Sequence, residues 1–200
     1  MLLLSSSAQN IYWLGRYLFR IEYMTTHLPF KDDLQAARFA QALCLYIDDA
    51  ESLNQFMLDR QQPYSLMSQL EIARDNIQEL RGLLRTETYA ELNHLMKNVI
   101  PNMVTIQSIV KECGSIMNTE QEDISLFFHI GQRMEQIDTY FRFQHNIYDV
   151  LEMVDPVIER LFHLGWEDLQ PSWEILKTQP DLGQFYAFTY KLENQFEAFA

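Results

Sequence analysis

Ile11, Leu14, Leu18 and Ile21 recur at steps of three and four along the N-terminal stretch, with Trp13 and Tyr17 on the flank of the same stripe. That period places them on one face of an α-helix, and a chain that repeats the pattern must bury such faces against one another. It returns in Ala36, Phe39, Ala40, Leu43 and Ile47, and no stretch shows the strict alternation and turn dipeptides of a strand. Six Gly and six Pro in 200 residues leave little material for long loops. The expected architecture is all-α, a multi-helix bundle with a pseudo-duplicated helical unit.

Punctuation along the chain sets the expected helices. Ser5-Ser6-Ser7 supplies an N-cap for a first helix running to about His27, ahead of Pro29. Asp32 and Asp33 open a second that continues through Ile47, and a short third covers Ala50 to Leu58. Pro63 breaks the chain, after which Ser65 caps a helix from Leu66 to Leu84. Thr86, followed by Glu87 and Glu91, opens the next, and Pro101 stops or kinks it near Ile100. Another spans Asn102 to Cys113, and Thr119 with Glu122 has the capping-box spacing for a long helix to about Gln144. Asp155-Pro156 reads as a capping residue before a first-turn proline, and Pro171 and Asp181 begin the last two segments.

Charge excludes some partners. A formal net charge of −13 disfavours nucleic acid and anionic membrane, whose affinities are built on Lys and Arg. An acidic surface suits solvation, or a partner with a basic face. No run approaches a membrane span, and Met1-Leu2-Leu3-Leu4-Ser5 lacks the basic region and length of a signal peptide. Two widely separated cysteines form no disulfide framework, which fits a reducing, cytoplasmic setting. Cys44, in Ala42-Leu43-Cys44-Leu45, is expected to be buried as a small hydrophobe, and Cys113 to lie near a helix end beside Lys111 and Gly114.

A duplication is suggested by two segments that align without a gap, Ile11 to Glu22 over Phe127 to Asp138. Gly15 falls on Gly131, Ile21 on Ile137, and Glu22 on Asp138. The implied domain is 1–200, with repeat halves 1–117 and 118–200, the second short. These segments resemble the paired signature helices of the alpha-E family, named for a Glu-Arg dipeptide in a pattern like Tyr-Trp-Leu-Gly-Arg-Tyr-Leu-Glu-Arg-Ala-Glu. Tyr12 to Leu18 match that run, and Arg20 and Glu22 match its end. Phe19 stands in place of the Glu in the first segment, and Gln136 in place of the Arg in the second. Pro63, Ser65, Ala73 to Asn76 and Arg81 are similar to a further family region, which Tyr89, Leu92 and Asn93 continue. Trp173, Leu176, Phe185 and Tyr190 resemble a later, weaker pattern. The resemblance implies an accessory protein of amide-bond-forming systems, with an ATP-grasp-type ligase or transglutaminase-like protein as partner.

Three polar constellations are candidates for function. Arg16 and Arg20 stand one turn apart with Glu22 around the side, offering forked donors to a carboxylate or phosphate, or salt bridges that orient a buried helix. Arg20 and Glu135 are the complementary survivors of the two signature dipeptides, and the two helices are expected to complete one ion pair with them. Arg74, Gln78 and Arg81 share a helix face near Asn76, either lining an anion site or forming a solvated face. Glu91-Leu92-Asn93-His94 has the Glu-x-x-His step of di-iron bundles, but no second copy accompanies it, so no metal is expected. No phosphate loop, dinucleotide fingerprint or nucleophile elbow occurs, and no cofactor is expected. Trp13, Tyr17, Phe127, Phe128 and the Phe141–Phe143 region are expected in the core rather than around a cofactor.

Arg16, Arg20, Glu22, Arg74, Asn76, Arg81 and Glu135 are therefore the expected binding or motif residues. The leading expectation is a non-catalytic helical interaction protein beside a peptide or amide ligase. The alternatives are an enzyme or small-anion-binding protein using the same groups, and a structural homo-oligomeric bundle.

Overall fold

The structure is a computed structural model that describes residues 5–198, and within them the chain is α-helical throughout, without a strand. In chain order the helices are α1 (Ser5–His27), α2 (Asp33–Ala42), α3 (Ala50–Leu58), α4 (Leu66–Glu79), α5 (Thr86–Lys97), α6 (Met103–Met117), α7 (Glu122–Arg142), α8 (Tyr148–His163), α9 (Gln170–Thr178) and α10 (Leu182–Ala198), with a 3-10 turn at Glu167–Leu169. No described helix is long and apolar enough to cross a membrane.

Two compact units result. The first combines the residues up to Arg16 with those from Gln121 onward, and the second is Tyr17–Glu120. In the first unit the start of α1 joins α7, α8, α9 and α10 around a core of Ile11, Leu14, Phe128, Trp173, Phe185 and Phe188. Trp173 meets Phe188 at 5.1 Å between ring centroids, while Trp166 closes on Phe127 and Phe196 at 5.5 and 5.3 Å. These aromatics bury far more area per side chain than aliphatics, so they dominate the packing of this unit. In the second unit the apolar faces of α2 to α6 enclose Leu53, Met57, Leu66, Ile77, Leu92 and Ile106.

Several helix starts follow from their caps. Asp32, Asp49, Ser65 and Asn102 each accept a backbone N–H of the first turn, from Gln35, Ser52, Ser68 and both Val104 and Thr105. Asp33 plays a different part, accepting from Ala50 N at 2.9 Å and so tying α2 to the start of α3. Asp181 likewise accepts from Gln184 N at 2.8 Å at the head of α10. Ser6 and Ser7 lie inside α1, and the residues ahead of Ser5 are outside the described ones.

Several expectations need correction. The fourth helix ends at Glu79 rather than Leu84, the chain passing into turns closed by Leu83 and Leu84 N–H on Leu80 O, both at 3.0 Å. The second helix ends at Ala42 rather than Ile47, because Cys44 adopts φ 59° and the chain closes with Leu45 N–H on Ala40 O and Cys44 N–H on Gln41 O, both at 2.9 Å. That paired closure satisfies carbonyls that a continuing helix would have used, and it turns Cys44 out to solvent instead of into the core. The same closure at Gln144 ends α7. The capping box at Thr119 and Glu122 is not made: α6 runs on to Met117, Cys113 lies buried within it, and the Thr119 hydroxyl donates back to Ile116 O at 2.8 Å. Gln121 takes the cap position of α7 with no side-chain cap bond. Pro156, read as a helix start, sits in the interior of α8. Val150, Leu151, Val154, Ile158 and Leu161 form one buried stripe across it, and burying that stripe outweighs the local break.

Candidate functional site

The glycines at the matched positions of α1 and α7 set the geometry of the first unit. A β-carbon placed on Gly15 would collide with the Phe128 carbonyl oxygen and lie 3.1 Å from Gln132 N. One placed on Gly131 would collide with the Tyr12 carbonyl oxygen and lie 3.2 Å from Arg16 N. The two sets of contacts are reciprocal. Tyr12 aligns with Phe128 and Arg16 with Gln132, so the gapless sequence match corresponds to a local pseudo-twofold where two helices cross backbone to backbone. Only hydrogen at Cα permits that approach.

The crossing delivers Arg16 into the interior, where it is 9% exposed. Its Nε donates to Glu135 Oε2 of α7 at 3.0 Å, and its Nη1 donates to Glu193 Oε1 of α10 at 3.1 Å and to Tyr12 Oη at 3.3 Å. The Tyr12 hydroxyl in turn donates to Glu193 Oε1 at 2.9 Å. The guanidinium also stands 5.0 Å from the Trp13 ring centroid, within range of a cation–π contact. Glu135 is 2% exposed, so its charge depends on protein partners rather than water. Burial pushes the Tyr12 phenol well above its ordinary range, with Arg16 opposing and Glu193 reinforcing, so it acts only as a neutral donor. Burial works against the Arg16 charge, yet Tyr12, Glu135 and Glu193 hold it above its usual value.

A second cluster lies on the same face of α7. Arg142 Nε donates to the buried Asp138 at 2.8 Å, Arg142 Nη2 to Tyr186 Oη at 3.3 Å, and the Tyr186 hydroxyl to Asp138 Oδ1 at 3.4 Å. Burial, then the Asp138 carboxylate, raises the Tyr186 phenol. Burial opposes the Arg142 charge, and the hydrogen bond and charge of Asp138 raise it on balance. Sequence reasoning passed over Tyr12, Asp138, Arg142, Tyr186 and Glu193 as members of a site. Tyr12 with Arg16 and Asp138 with Arg142 are i,i+4 pairs and were detectable as such. Glu193 was not, since only the fold brings α10 to Arg16.

Of the expected residues, Arg16 and Glu135 are joined directly. Arg20 and Glu22 belong to the second unit, where the Arg20 guanidinium lies 5.7 Å from the Tyr17 ring centroid. Arg74 and Arg81 are exposed, and Arg74 on α4 reaches its neighbour Asp75 at 3.7 Å. Asn76 is half-buried, its Nδ2 enclosed with no hydrogen-bond partner among the described residues. Gln78 links α4 to α5 by donating to Asn93 Oδ1 and accepting from the Tyr89 hydroxyl at 2.8 Å. Glu91 and His94 line an open groove with Glu112, and His94 Nε2 is 3.1 Å from Asn98 Nδ2. No group of three metal-ligating side chains converges among the described residues.

The sequence profile of Alpha-E, described as a predicted alpha-helical domain with a conserved ER motif, matches residues 3–178. The chain belongs to the Alpha-E family. No curated protein and no solved structure matches it. The match takes in the Gly15–Gly131 crossing, Arg16 and Glu135, and it stops short of α10, which contributes Glu193 and Tyr186. A literal Glu-Arg dipeptide occurs in this Alpha-E chain at Glu159-Arg160 of α8, whereas the aligned segments carry Phe19-Arg20 and Glu135-Gln136.

Proposed function

We propose that this Alpha-E chain is a non-catalytic accessory protein that works beside a peptide- or amide-bond-forming ligase of the ATP-grasp type. The observation that carries the reading is the burial of Arg16 within a network of side chains from its own unit. Its Nε and Nη1 bond Glu135, Glu193 and Tyr12, which commits that edge of the guanidinium to positioning α1, α7 and α10. At 9% exposure Arg16 presents little surface to a substrate, whereas a guanidinium that recognises one turns its fork to an open face. Two groups of types that serve as nucleophiles elsewhere, Cys113 and Tyr12, are buried and held in their protonated forms. Burial pushes the Cys113 thiol up to about 12, and it raises the Tyr12 phenol as well. The family resemblance supplies the ligase system as the setting.

The test is purification of the tagged chain from its native cells, followed by assay of any co-purifying ATP-dependent ligase with and without added chain. Retention of a ligase whose turnover the chain changes supports the reading. ATP-dependent turnover by the isolated chain, lost in Arg16→Met, overturns it in favour of an enzyme built on the Arg–Glu cluster.

A further inference from the structure

In the second unit the loop after α1, the start of α2 and one side of α3 enclose a cleft of about 510 Å³. Two fastenings hold its walls. Asn54 of α3 accepts from Phe30 N and donates to Phe30 O, both at 2.9 Å, so its amide pairs with the loop as a second peptide group would. Asp33 of α2 accepts from Ala50 N at 2.9 Å through Oδ1, which leaves its other oxygen uncommitted among the described residues. The lining carries both signs of charge, with Lys31 on the loop, Asp33 on α2 and Glu51 on α3. Lys31 makes no ion pair or hydrogen bond among the described residues, and Glu51 accepts only from the neutral amide of Gln55, at 3.1 Å. Opposite charges therefore face one cleft without closing on each other, and each keeps capacity for a partner. Phe30 and Leu58, both half-buried, supply an apolar wall, and the Phe30 ring is braced against Phe39 at 5.1 Å between centroids.

We propose that this cleft binds a zwitterionic α-amino acid with an apolar side chain, its carboxylate on Lys31 and its ammonium on the Asp33 and Glu51 carboxylates. A ligand of one sign meets repulsion from part of this lining, whereas an α-amino acid carries both charges on one carbon and complements all of it. The cleft volume lies within the range of roughly 300–1,000 Å³ typical of small-molecule sites. Phe30 and Leu58 take the side chain out of water. Lys31, Asp33 and Glu51 are exposed, so each ionic contact is weak singly and recognition rests on their being read together. The cleft shares no residue with the Arg16 network, so it stands or falls independently of the accessory reading.

The experiment titrates L-leucine, N-acetyl-leucine and leucinamide into the full chain at matched ionic strength and about pH 6.5, where the α-amino group is charged. NMR follows the Lys31 backbone amide and the Gln55 side-chain amide, the latter assigned by its loss in Gln55→Glu. Leucine is expected to shift both resonances. Removing either ligand charge should weaken binding about two- to fivefold, the worth of one exposed ion pair. Two cycles separate the roles. Lys31→Met should abolish the preference for leucine over leucinamide and leave the preference over N-acetyl-leucine intact. Asp33→Asn combined with Glu51→Gln should do the reverse, and both replacements keep an oxygen to accept from Ala50 and Gln55, so the walls stay fastened. Absence of a leucine-dependent shift overturns the proposal, as does a parent that binds all three compounds equally. A preference that survives its own variant overturns it too. The substituted positions are exposed, and circular-dichroism melts confirm that each variant is folded before it is compared.

Discussion

Gly131→Ala isolates the helix crossing from every other feature of the first unit. In an ordinary helix interior this replacement is stabilising by about 0.5–1 kcal/mol, because Ala loses less conformational freedom on folding. At this position the new carbon would sit 2.8 Å from the Tyr12 carbonyl carbon, 0.6 Å inside the 3.4 Å floor of ordinary contact, with the carbonyl oxygen nearer still. The obstructing atoms are backbone, so no rotamer change relieves them and α1 must move away from α7. Overpacking of this kind costs about 1–3 kcal/mol. The same displacement stretches the 3.0 Å bond from Arg16 to Glu135, and a buried charge that loses its partner costs about 3–5 kcal/mol if the bond breaks outright. With the pair stretched rather than broken and the helix gain subtracted, a net loss of about 2–4 kcal/mol is expected. For a chain of this length that corresponds to a fall in Tm of about 5–15 °C. Urea unfolding at constant m reads the difference directly. Gly15→Ala should behave alike, and the double variant should cost less than the sum, since helices already separated accommodate the second methyl. Gly82→Ala, with nothing within 4 Å of the new carbon, serves as the control and should change stability by less than about 0.5 kcal/mol. If Gly131→Ala is neutral or stabilising, the backbone-to-backbone crossing and the pseudo-twofold drawn from it are wrong.

Arg16→Met should cost up to about 3–5 kcal/mol by taking one charged partner from the buried Glu135, and adding Glu135→Gln should recover part of that loss; a strictly additive pair would show that the two side chains are not coupled. A fast thiol reagent should label Cys44 alone in the native chain and both cysteines after denaturation, because Cys113 is enclosed and its thiol is pushed up to about 12. Rapid labelling of both would contradict the packing of α6. The pH dependence has a defined sign. Burial, then the charges of Arg133 and Arg160, make the folded His129 bind its proton less readily than the unfolded one, so its stabilising effect is complete above about pH 6.5 and is lost as pH falls from there through the lower folded value. His129→Gln should flatten that part of the stability profile, and an unchanged slope would assign it to other groups.

Legibility followed the range of the interactions. Caps that act within four residues were readable: Asp32, Ser65, Asn102 and Asp181 all accept the first-turn amides of the helices they precede. The gapless match of the two segments was readable too, because a close crossing demands glycine in both partners and leaves a trace in each. What failed were local signals overruled by tertiary packing. Thr119 and Glu122 have the spacing of a capping box, but the Thr119 carbonyl and hydroxyl accept from Arg85, and Arg85 also pairs with the buried Glu120, so the segment is committed to the head of α5 instead. The candidate site was half readable. Arg16 and Glu135 stood out through the family pattern, whereas Glu193 lies 177 residues from Arg16 and no local rule joins them. The unit boundary after Arg16 falls in the middle of α1, where composition does not change.

Pro156 shows how a strong local signal can be outvoted, and it gives a prediction whose sign is informative. A proline in a helix interior forfeits the bond to the carbonyl four residues earlier, here that of Glu152, and its ring crowds that carbonyl, for about 3 kcal/mol or more. Both Pro156 and Glu152 are exposed, so the freed carbonyl can be hydrated, which limits the penalty on this side of α8. On the protected side the stripe from Val150 to Leu161 is continuous. Asp155, instead of capping a helix, accepts from Trp173 Nε1 at 2.6 Å and from Lys177 Nζ at 2.9 Å, fastening α8 to α9. If the proline is simply tolerated, Pro156→Ala should stabilise the chain by about 1–3 kcal/mol. If instead its bend is what brings Asp155 to Trp173, the variant should lose stability, and Trp173→Phe should then cost less when combined with Pro156→Ala than in the parent. Destabilisation by Pro156→Ala with an unchanged Trp173→Phe cost would rule out both accounts of why this helix carries a proline.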